Sequence, residues 1–208
     1  MKSIELFPVT VFKSKIVNND FLKEVLCKPI LESSEDLVIP EDWTTDRIKT
    51  SFAGEPSGKE VLKNYKSLLE EHYIECISEF FDKEFNFIID KIWYNIYTDG
   101  EYQEVHDHLG TSLNPTHFSL IHFLSFNKDQ HKPPEFRDPI SQLRMLSLEF
   151  DNNKCGEVYV PDIEEGDLLM FPCYLQHCVP PVKRTNYPRI TISFNIRVTQ
   201  YGGEQTII

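Results

Sequence analysis

The spacing of hydrophobic residues divides the chain into a first part with helical spacing and a second part with alternating spacing. Between residues 57 and 81, apolar side chains recur every three or four positions, which predicts a helix with one buried face. Ser57 and Glu60 have the spacing of a capping box at its start. A shorter helix is predicted before it, capped by Asp20 and ending at Pro29. An opening strand is predicted before both helices.

From about residue 87 onward, apolar and polar residues alternate, as they do in half-buried strands. Glycine-containing and proline-rich segments separate these stretches and mark turns. The predicted strands are 87–97, 117–126, 145–150, 157–160, 167–171, 177–181 and 189–198.

Many short strands after a helical segment predict a mainly β fold, namely a jelly roll or double-stranded β-helix. The N-terminal helices would then buttress one outer sheet face. The chain has no internal repeat, so a single domain 1–208 is predicted, with the N-terminal strand and helices in 1–86 and the β-helix core in 87–200. The proline-rich segment 127–142 is long for a loop, and is interpreted either as a lid or substrate groove or as an insertion without function.

The last predicted strand has two chemically different faces. Ile190 and Ile192 alternate with Arg189, Thr191 and Ser193. A strand with one solvated face gives this pattern, and so does a strand whose polar face lines a barrel that binds a carboxylate. The strand follows shortly after His177, and this position favours the interpretation that its polar face lines the barrel interior.

Three histidines in two distant segments form a candidate metal site. His106 and His108 are two positions apart, so both rings lie on one face of an extended segment, and Asp107 points the other way. His177 from a distant strand could complete a facial set of nitrogen ligands that leaves metal positions open. Arg189 could hold an anionic co-substrate through forked hydrogen bonds. Together these residues predict oxygenase chemistry inside a β-barrel.

Other potential ligands have simpler interpretations. His122 lies in an alternating strand and could face the cavity behind the ligands, although a structural role is favoured. His117 and His131 are interpreted as structural or solvated. Cys173 and Cys178 flank the distal histidine without the spacing of a zinc site, and are interpreted as packed strand residues.

The composition of the chain limits which substrates and which cellular location are expected. The net charge of −12 argues against binding to a phosphate backbone, so a protein side chain or a small molecule is the expected substrate. No apolar run approaches the ~20 residues that span a bilayer, and the N-terminus has no signal-peptide pattern. The five cysteines are scattered, as in a reduced protein, which predicts a cytoplasmic location.

The segments "WYNIYTDGEYQEVHDHLG", "HFSLIHFLSF" and "EEGDLLMFPCYLQHCVPPVKRTNYPRITISFN" resemble the Fe(II)/2-oxoglutarate-dependent oxygenases related to prolyl 4-hydroxylases, which include phage-encoded members. The resemblance covers residues from about 88 to 198. It implies that His106 and His177 bind Fe(II) and that Arg189 and Thr191 bind the distal carboxylate of 2-oxoglutarate. Tyr97, on the preceding strand, is expected to add a hydrogen bond.

The third ligand departs from the pattern of the wider family, which has a carboxylate where this chain has His108. Histidine at this position occurs in the branch that the chain most resembles, so His108 is the expected ligand, and Asp107 could replace it only if the backbone kinks. The implied reaction uses O2 and converts 2-oxoglutarate to succinate. Its expected substrate is a protein residue, such as a prolyl residue, or a small molecule, and a phage-encoded member would act in the host cytoplasm.

Two alternatives remain open from the sequence. Gly100 followed by the histidine pair matches the start of a cupin metal motif, but the expected glutamate is replaced by Ser112 and Leu113. A cupin metalloenzyme without 2-oxoglutarate also gives no role to Arg189. The other alternative is a non-catalytic jelly-roll protein, with a binding or structural role, that has lost its site.

Overall fold

The computed structural model describes residues 8–37, 39–41, 43–45, 48–53, 56–80, 85–98, 100–109, 116–141, 157–181, 185 and 187–201. Within these ranges, the side chains of residues 36, 56–59, 85, 200 and 201 are not described. The predicted strand 145–150, residues 4–7 of the predicted opening strand and the Ser57 side chain of the capping box lie outside this part.

The described chain contains three α-helices, one 3-10 turn and ten strands. The helices are α1 (Asn19–Glu32), α2 (Pro56–Asn64) and α3 (Lys66–Glu79), with the 3-10 turn at Ser33–Asp36. The strands are β1 (Phe12–Lys15), β2 (Lys49–Thr50), β3 (Phe85–Tyr97), β4 (Gln103–His106), β5 (Phe118–Ser125), β6 (Glu135–Arg137), β7 (Val158–Tyr159), β8 (Asp167–Pro172), β9 (His177–Val179) and β10 (Arg189–Tyr201).

The strands form two antiparallel sheets, as the mainly β, jelly-roll prediction requires. The larger sheet has the order β1-β8-β5-β10-β3-β2, and the smaller sheet has the order β4-β9-β6-β7. Strands distant in sequence pair within each sheet, with β10 between β5 and β3 and β9 between β4 and β6. In the smaller sheet, β9 returns to β4 from a distant part of the chain, and this pairing brings the histidine segments together.

Alternation assigns each residue of the larger sheet to one of two faces. On one face, side chains such as Tyr94, Ile192 and Phe194 are buried with α1, α2 and α3 in the main hydrophobic core. The opposite face is turned toward the smaller sheet and carries Arg189 and Thr191. The prediction that these two side chains point into the barrel is confirmed.

Helix α1 does not end at Pro29, as the sequence predicted. Proline lacks the N–H that would bond to the preceding turn, yet the helix continues to Glu32. Leu22, Leu26 and Ile30 are fully buried at four-residue spacing, so packing of this face outweighs the lost hydrogen bond. Asp20 lies in the first turn of the helix and is not its cap.

The predicted helix 57–81 is two helices, with the break at Tyr65 between α2 and α3. Both carry buried residues on one side, as predicted, including Leu62 and Tyr73. The predicted loop 127–142 contains a strand, β6, which is the central partner of β7 and β9 in the smaller sheet.

His122 faces the helices rather than the cleft between the sheets. Its Nδ1 accepts a hydrogen bond from the Tyr73 hydroxyl at 2.9 Å, and its Nε2 donates to Asn19 Oδ1 at 2.8 Å. The ring is fully buried and links β5 to α3 and α1. The suggestion that it stands behind the metal ligands is therefore wrong, and the structural interpretation is correct.

In the described part of the chain, every helix is too short or too polar to cross a lipid bilayer.

Candidate active site

The two histidine segments meet in the smaller sheet. β4 and β9 are antiparallel neighbours, and His106 lies directly opposite His177 in their register. His108 follows just beyond β4. One potential ligand atom from each of the three residues lies within 4.8 Å of the others, and no other group of three such side chains occurs in the part of the chain that the structure describes. The structure thus brings together the three imidazoles that the sequence singled out.

Backbone carbonyl groups fix two of these rings in one tautomer. His106 Nδ1 lies 2.8 Å from the Glu104 carbonyl oxygen, and His177 Nδ1 lies 2.9 Å from the Leu175 carbonyl oxygen. Because a carbonyl only accepts, both Nδ1 atoms carry the proton. Each Nε2 is left with a lone pair for a metal ion, which is the usual arrangement of histidine ligands.

His108 is held by stacking and by its backbone. Its ring is nearly parallel to that of His177, with the centroids 5.2 Å apart and an interplanar angle of 6°, and it stacks on Trp93 at 5.7 Å. Its backbone N–H donates to the Cys173 carbonyl at 2.8 Å. This bond ties the residue to the segment that leads into β9.

The environment keeps all three rings neutral. Burial lowers the pKa of His108 to about 3 and that of His177 well below its usual value, and the neighbouring histidines lower both pKa values further. Burial also lowers the pKa of His106. The neutral imidazole is the form that binds metal ions, so the rings are in their ligand form at pH 7.

Arg189 is a buried cation with an incomplete set of partners. Its side chain is 1% exposed, and Nη1 donates to the Lys132 carbonyl at 2.9 Å. Its Nε is buried and has no hydrogen-bond partner among the described residues. Burial lowers the pKa of the guanidinium to about 10, which leaves it charged at pH 7. A buried charge without a counter-ion is costly, so this group is suited to an anionic ligand.

Tyr97 supports Arg189 through its ring. The guanidinium carbon lies 4.8 Å from the ring centroid, and β3 and β10 place the two residues directly opposite each other. The Tyr97 hydroxyl donates to Gln103 Oε1 at 3.0 Å. In this structure the phenol therefore bonds to a neighbouring side chain of the cleft.

The cleft between the sheets is lined by the candidate metal ligands and by the candidate carboxylate ligands. Arg189 and Thr191 share it with all three histidines. Ser193, on the polar face of the last predicted strand, also lines the cleft. Sequence reasoning did not single out several other lining residues, although alternation along β3 could have found the first two of them: Trp93, Asn95, Gln103, Ser119 and Phe171. Trp93 is buried and is also part of the cleft wall.

These residues fit Fe(II) and 2-oxoglutarate. Three neutral imidazoles form a nitrogen donor set that suits a first-row metal and leaves positions open. In the same cleft, the buried and incompletely bonded guanidinium suits a carboxylate, which can accept two parallel hydrogen bonds from it.

Comparison with known proteins also indicates an enzyme that uses Fe(II) and 2-oxoglutarate. The family described as "Putative 2OG-Fe(II) oxygenase" matches residues 91–195, just over half of the chain. The match spans the three histidines, Arg189 and Thr191. The chain therefore belongs to the 2-oxoglutarate- and Fe(II)-dependent oxygenases. Enzymes of this family use Fe(II) as cofactor and 2-oxoglutarate as co-substrate. No curated protein sequence matches it.

Solved structures share the fold at low sequence identity. A prolyl-4-hydroxylase from Pseudomonas putida is 12% identical, with a TM-score of 0.58 over 91% of this chain and 92% of that protein. HygX from Streptomyces hygroscopicus, crystallised with nickel, 2-oxoglutarate and hygromycin B, is 12% identical, with a TM-score of 0.60 over 92% and 84%.

The viral collagen prolyl hydroxylase of Paramecium bursaria Chlorella virus-1, solved with 2-oxoglutarate, is 17% identical, with a TM-score of 0.51 over 90% and 95%. At these identities the likeness establishes the fold. Membership of the family, which rests on the sequence match, favours the oxygenase over the cupin and non-catalytic alternatives.

Proposed function

We propose that the protein is a dioxygenase that hydroxylates a protein residue, such as a prolyl residue, or a small molecule, and converts 2-oxoglutarate and O2 to succinate and CO2. His106, His108 and His177 would hold Fe(II). Arg189 and Thr191 would bind the distal carboxylate of 2-oxoglutarate. When bound, Fe(II) and 2-oxoglutarate would supply the activation of O2 that places one oxygen atom in succinate and the other in the substrate.

One observation carries this proposal: a buried guanidinium with an unpartnered Nε shares a cleft with three convergent neutral imidazoles. A cupin metal site explains the imidazoles alone. A structural arginine would have a carboxylate partner, and none of the described carboxylates pairs with Arg189.

The chain's own residues orient the ligands and exclude water. The backbone carbonyls behind His106 and His177 bind both Nδ1 atoms, which leaves both Nε2 atoms available to the metal. Phe171 and Trp93 pack against the imidazoles, with Phe171 at 4.8 Å from the His177 centroid. These apolar rings keep the surroundings of the proposed metal dry, which strengthens electrostatic interactions with a bound anion.

Two substrate classes are proposed, a protein residue and a small molecule, and each has support among the structural neighbours. The prolyl hydroxylases among the structural neighbours favour a protein substrate, and HygX, solved with hygromycin B, favours a small molecule. The net charge of −12 is compatible with either class as long as the substrate is neutral or basic.

The test is an anaerobic titration of metal-free protein with Fe(II) and then 2-oxoglutarate, followed by the metal-to-ligand charge-transfer band in the visible spectrum. The wild-type protein should develop the band. Arg189→Ala should require at least about tenfold more 2-oxoglutarate, because a charged hydrogen-bonding partner is lost.

Arg197→Ala is the matched control, because Arg197 lies on the same strand but pairs with Asp90 near the surface. This variant should bind 2-oxoglutarate like the wild type. Absence of the band in the wild-type protein, or an unchanged affinity in Arg189→Ala, would contradict the proposed function.

A further inference from the structure

His131 is a buried histidine outside the proposed metal site. It lies in the connection between β5 and β6 and is 2% exposed. Its Nδ1 accepts a hydrogen bond from the Asn127 N–H at 3.0 Å, and its Nε2 lies 2.7 Å from the Tyr187 carbonyl oxygen. Because an N–H only donates and a carbonyl only accepts, Nε2 carries the proton. The ring thus joins the β5–β6 connection to the β9–β10 connection.

Both connections lead directly to Arg189. Lys132, the residue after His131, provides the carbonyl that accepts the Arg189 Nη1 hydrogen bond at 2.9 Å. Tyr187 stands two positions before Arg189 and receives the bond from His131. One imidazole therefore fixes both an acceptor of the guanidinium and the backbone just before the arginine.

The Phe126 ring adds a packing contact between His131 and Arg189. The Phe126 ring contacts the His131 ring edge-on at 5.5 Å, and the Arg189 guanidinium carbon lies 5.8 Å from the Phe126 centroid. The His131 backbone N–H also donates to the Asn127 carbonyl at 2.7 Å, which closes the turn before Lys132. A shift of the His131 side chain would therefore be passed to the guanidinium through both the turn and the aromatic contact.

We infer that His131 is a positioning residue for the co-substrate: by holding the Lys132 carbonyl and Tyr187, it sets the direction in which Arg189 presents its donors to the cleft. This inference rests on the proposed function. A guanidinium donates in a fixed planar fork, so its hydrogen bonds to a carboxylate depend on orientation. His131 itself would touch neither the metal nor 2-oxoglutarate.

The experiment compares two affinities in the same variants. Protein loaded with Mn(II) in the absence of O2 is titrated with 2-oxoglutarate by calorimetry, and metal-free protein is titrated with Mn(II) alone. His131→Leu, which removes both hydrogen bonds, should weaken 2-oxoglutarate binding about tenfold. Its Mn(II) affinity should stay within about twofold, because the three histidines lie on other elements.

Conservative variants separate the two bonds. His131→Gln can keep a donor for the Tyr187 carbonyl, and His131→Asn can keep an acceptor for the Asn127 N–H. Each should recover part of the affinity for 2-oxoglutarate that His131→Leu loses. If His131→Leu does not fold, these two variants decide the question: a loss of about threefold or more in either supports the role, and wild-type affinity in both overturns it.

His122→Leu is the matched control. His122 is equally buried and also makes two side-chain hydrogen bonds, but it lies on the helix-facing side of the larger sheet. This variant should lose stability and keep wild-type affinity for 2-oxoglutarate.

When His131→Leu folds, two results would overturn the role of His131 alone: wild-type affinity for 2-oxoglutarate in His131→Leu, or an equal loss of that affinity in His122→Leu. If the wild-type protein loaded with Mn(II) does not bind 2-oxoglutarate at all, the proposed function fails and this inference fails with it.

Discussion

At the scale of single residues, Asp107 and His108 are adjacent but have different surroundings. Asp107 Oδ1 accepts a hydrogen bond from the Leu109 N–H at 3.0 Å, so its carboxylate closes a local turn. His108 is stacked parallel to His177 and is tied by its backbone to Cys173. The extended chain at His106 separates neighbouring side chains onto opposite faces. These contacts support His108 as the proposed third ligand.

Replacement of each residue by alanine should separate the two candidates. His108→Ala should weaken Co(II) binding by at least about tenfold, because a nitrogen ligand is lost. Asp107→Ala should bind Co(II) within about twofold of the wild type, since its carboxylate contacts the backbone instead. Titration followed by the visible Co(II) spectrum measures both. A large loss in Asp107→Ala with little loss in His108→Ala would show that the carboxylate is the ligand.

Tyr97 offers a second prediction at this scale, because its ring and its hydroxyl have different neighbours. Tyr97→Phe keeps the ring against Arg189 and removes only the bond to Gln103. It should lower the free energy of unfolding by about 1 kcal/mol, and 2-oxoglutarate should bind within about threefold of the wild type. Tyr97→Leu should weaken 2-oxoglutarate binding further, because the ring that supports the guanidinium is gone.

Calorimetric titration of the Mn(II)-loaded variants checks this expectation. If Tyr97→Phe alone loses about tenfold in affinity, the hydroxyl contacts the co-substrate directly, as the family resemblance implies.

At the scale of elements, the faces of a long strand can be predicted from the sequence, whereas those of a short strand cannot. β10 runs for 13 residues, so its alternation is long enough to assign Arg189 and Thr191 to one face from the sequence alone. β4 and β6 have four and three residues, which is too short for a periodic signal. Their pairing depends on neighbours far away in the chain. The convergence of the histidines could be proposed from their residue types, but the direct opposition of His106 and His177 could not.

The role of His131 was also out of reach of the sequence. It stands in a polar, proline-rich segment, where a solvated ring is a reasonable expectation. Its burial results from the meeting of two connections that are more than fifty residues apart, as in its bond to Tyr187. Pro29 is a similar case, because local propensity predicts a helix end and burial of neighbouring side chains overrides it.

The contact of α1 and α3 with β5 through His122 predicts a pH dependence of stability. Burial lowers the folded-state pKa of His122 to about 3, whereas the unfolded chain titrates near the ordinary value of about 6.5. As the pH falls below that value, the unfolded state takes up the proton first. The stability that the neutral ring contributes is present above pH ~6.5 and is lost toward pH ~3, by up to about 1.4 kcal/mol per pH unit.

Urea unfolding of wild type and His122→Gln at several pH values measures this effect. The other buried histidines act in the same direction, so the difference between the two proteins is the informative quantity. The slope of stability against pH between about 4 and 6 should be smaller in the variant by up to one proton. Equal slopes would show that His122 is not the titrating group.

At the scale of the whole molecule, each sheet supplies one half of the proposed site. The smaller sheet carries His106 and His177, and the inner face of the larger sheet carries Arg189 and Thr191. A ligand that contacts both halves binds only when the two sheets keep their relative position. The free energy of its binding is therefore added to the stability of the folded jelly roll, because the unfolded chain has no such site.

Thermal unfolding with Mn(II) and 2-oxoglutarate, added separately and together without O2, should show two successive increases in the midpoint temperature. Each ligand at a hundred times its dissociation constant adds about 2.7 kcal/mol to the stability of the folded state. Arg189→Ala should keep the increase caused by Mn(II) and lose about half or more of the increase caused by 2-oxoglutarate, since the charged contact with the carboxylate is removed. His177→Ala should lose both increases if the metal must bind before the co-substrate. A full 2-oxoglutarate increase in Arg189→Ala would mean that the guanidinium does not hold the dicarboxylate, and that this contact of the larger sheet does not contribute to the site.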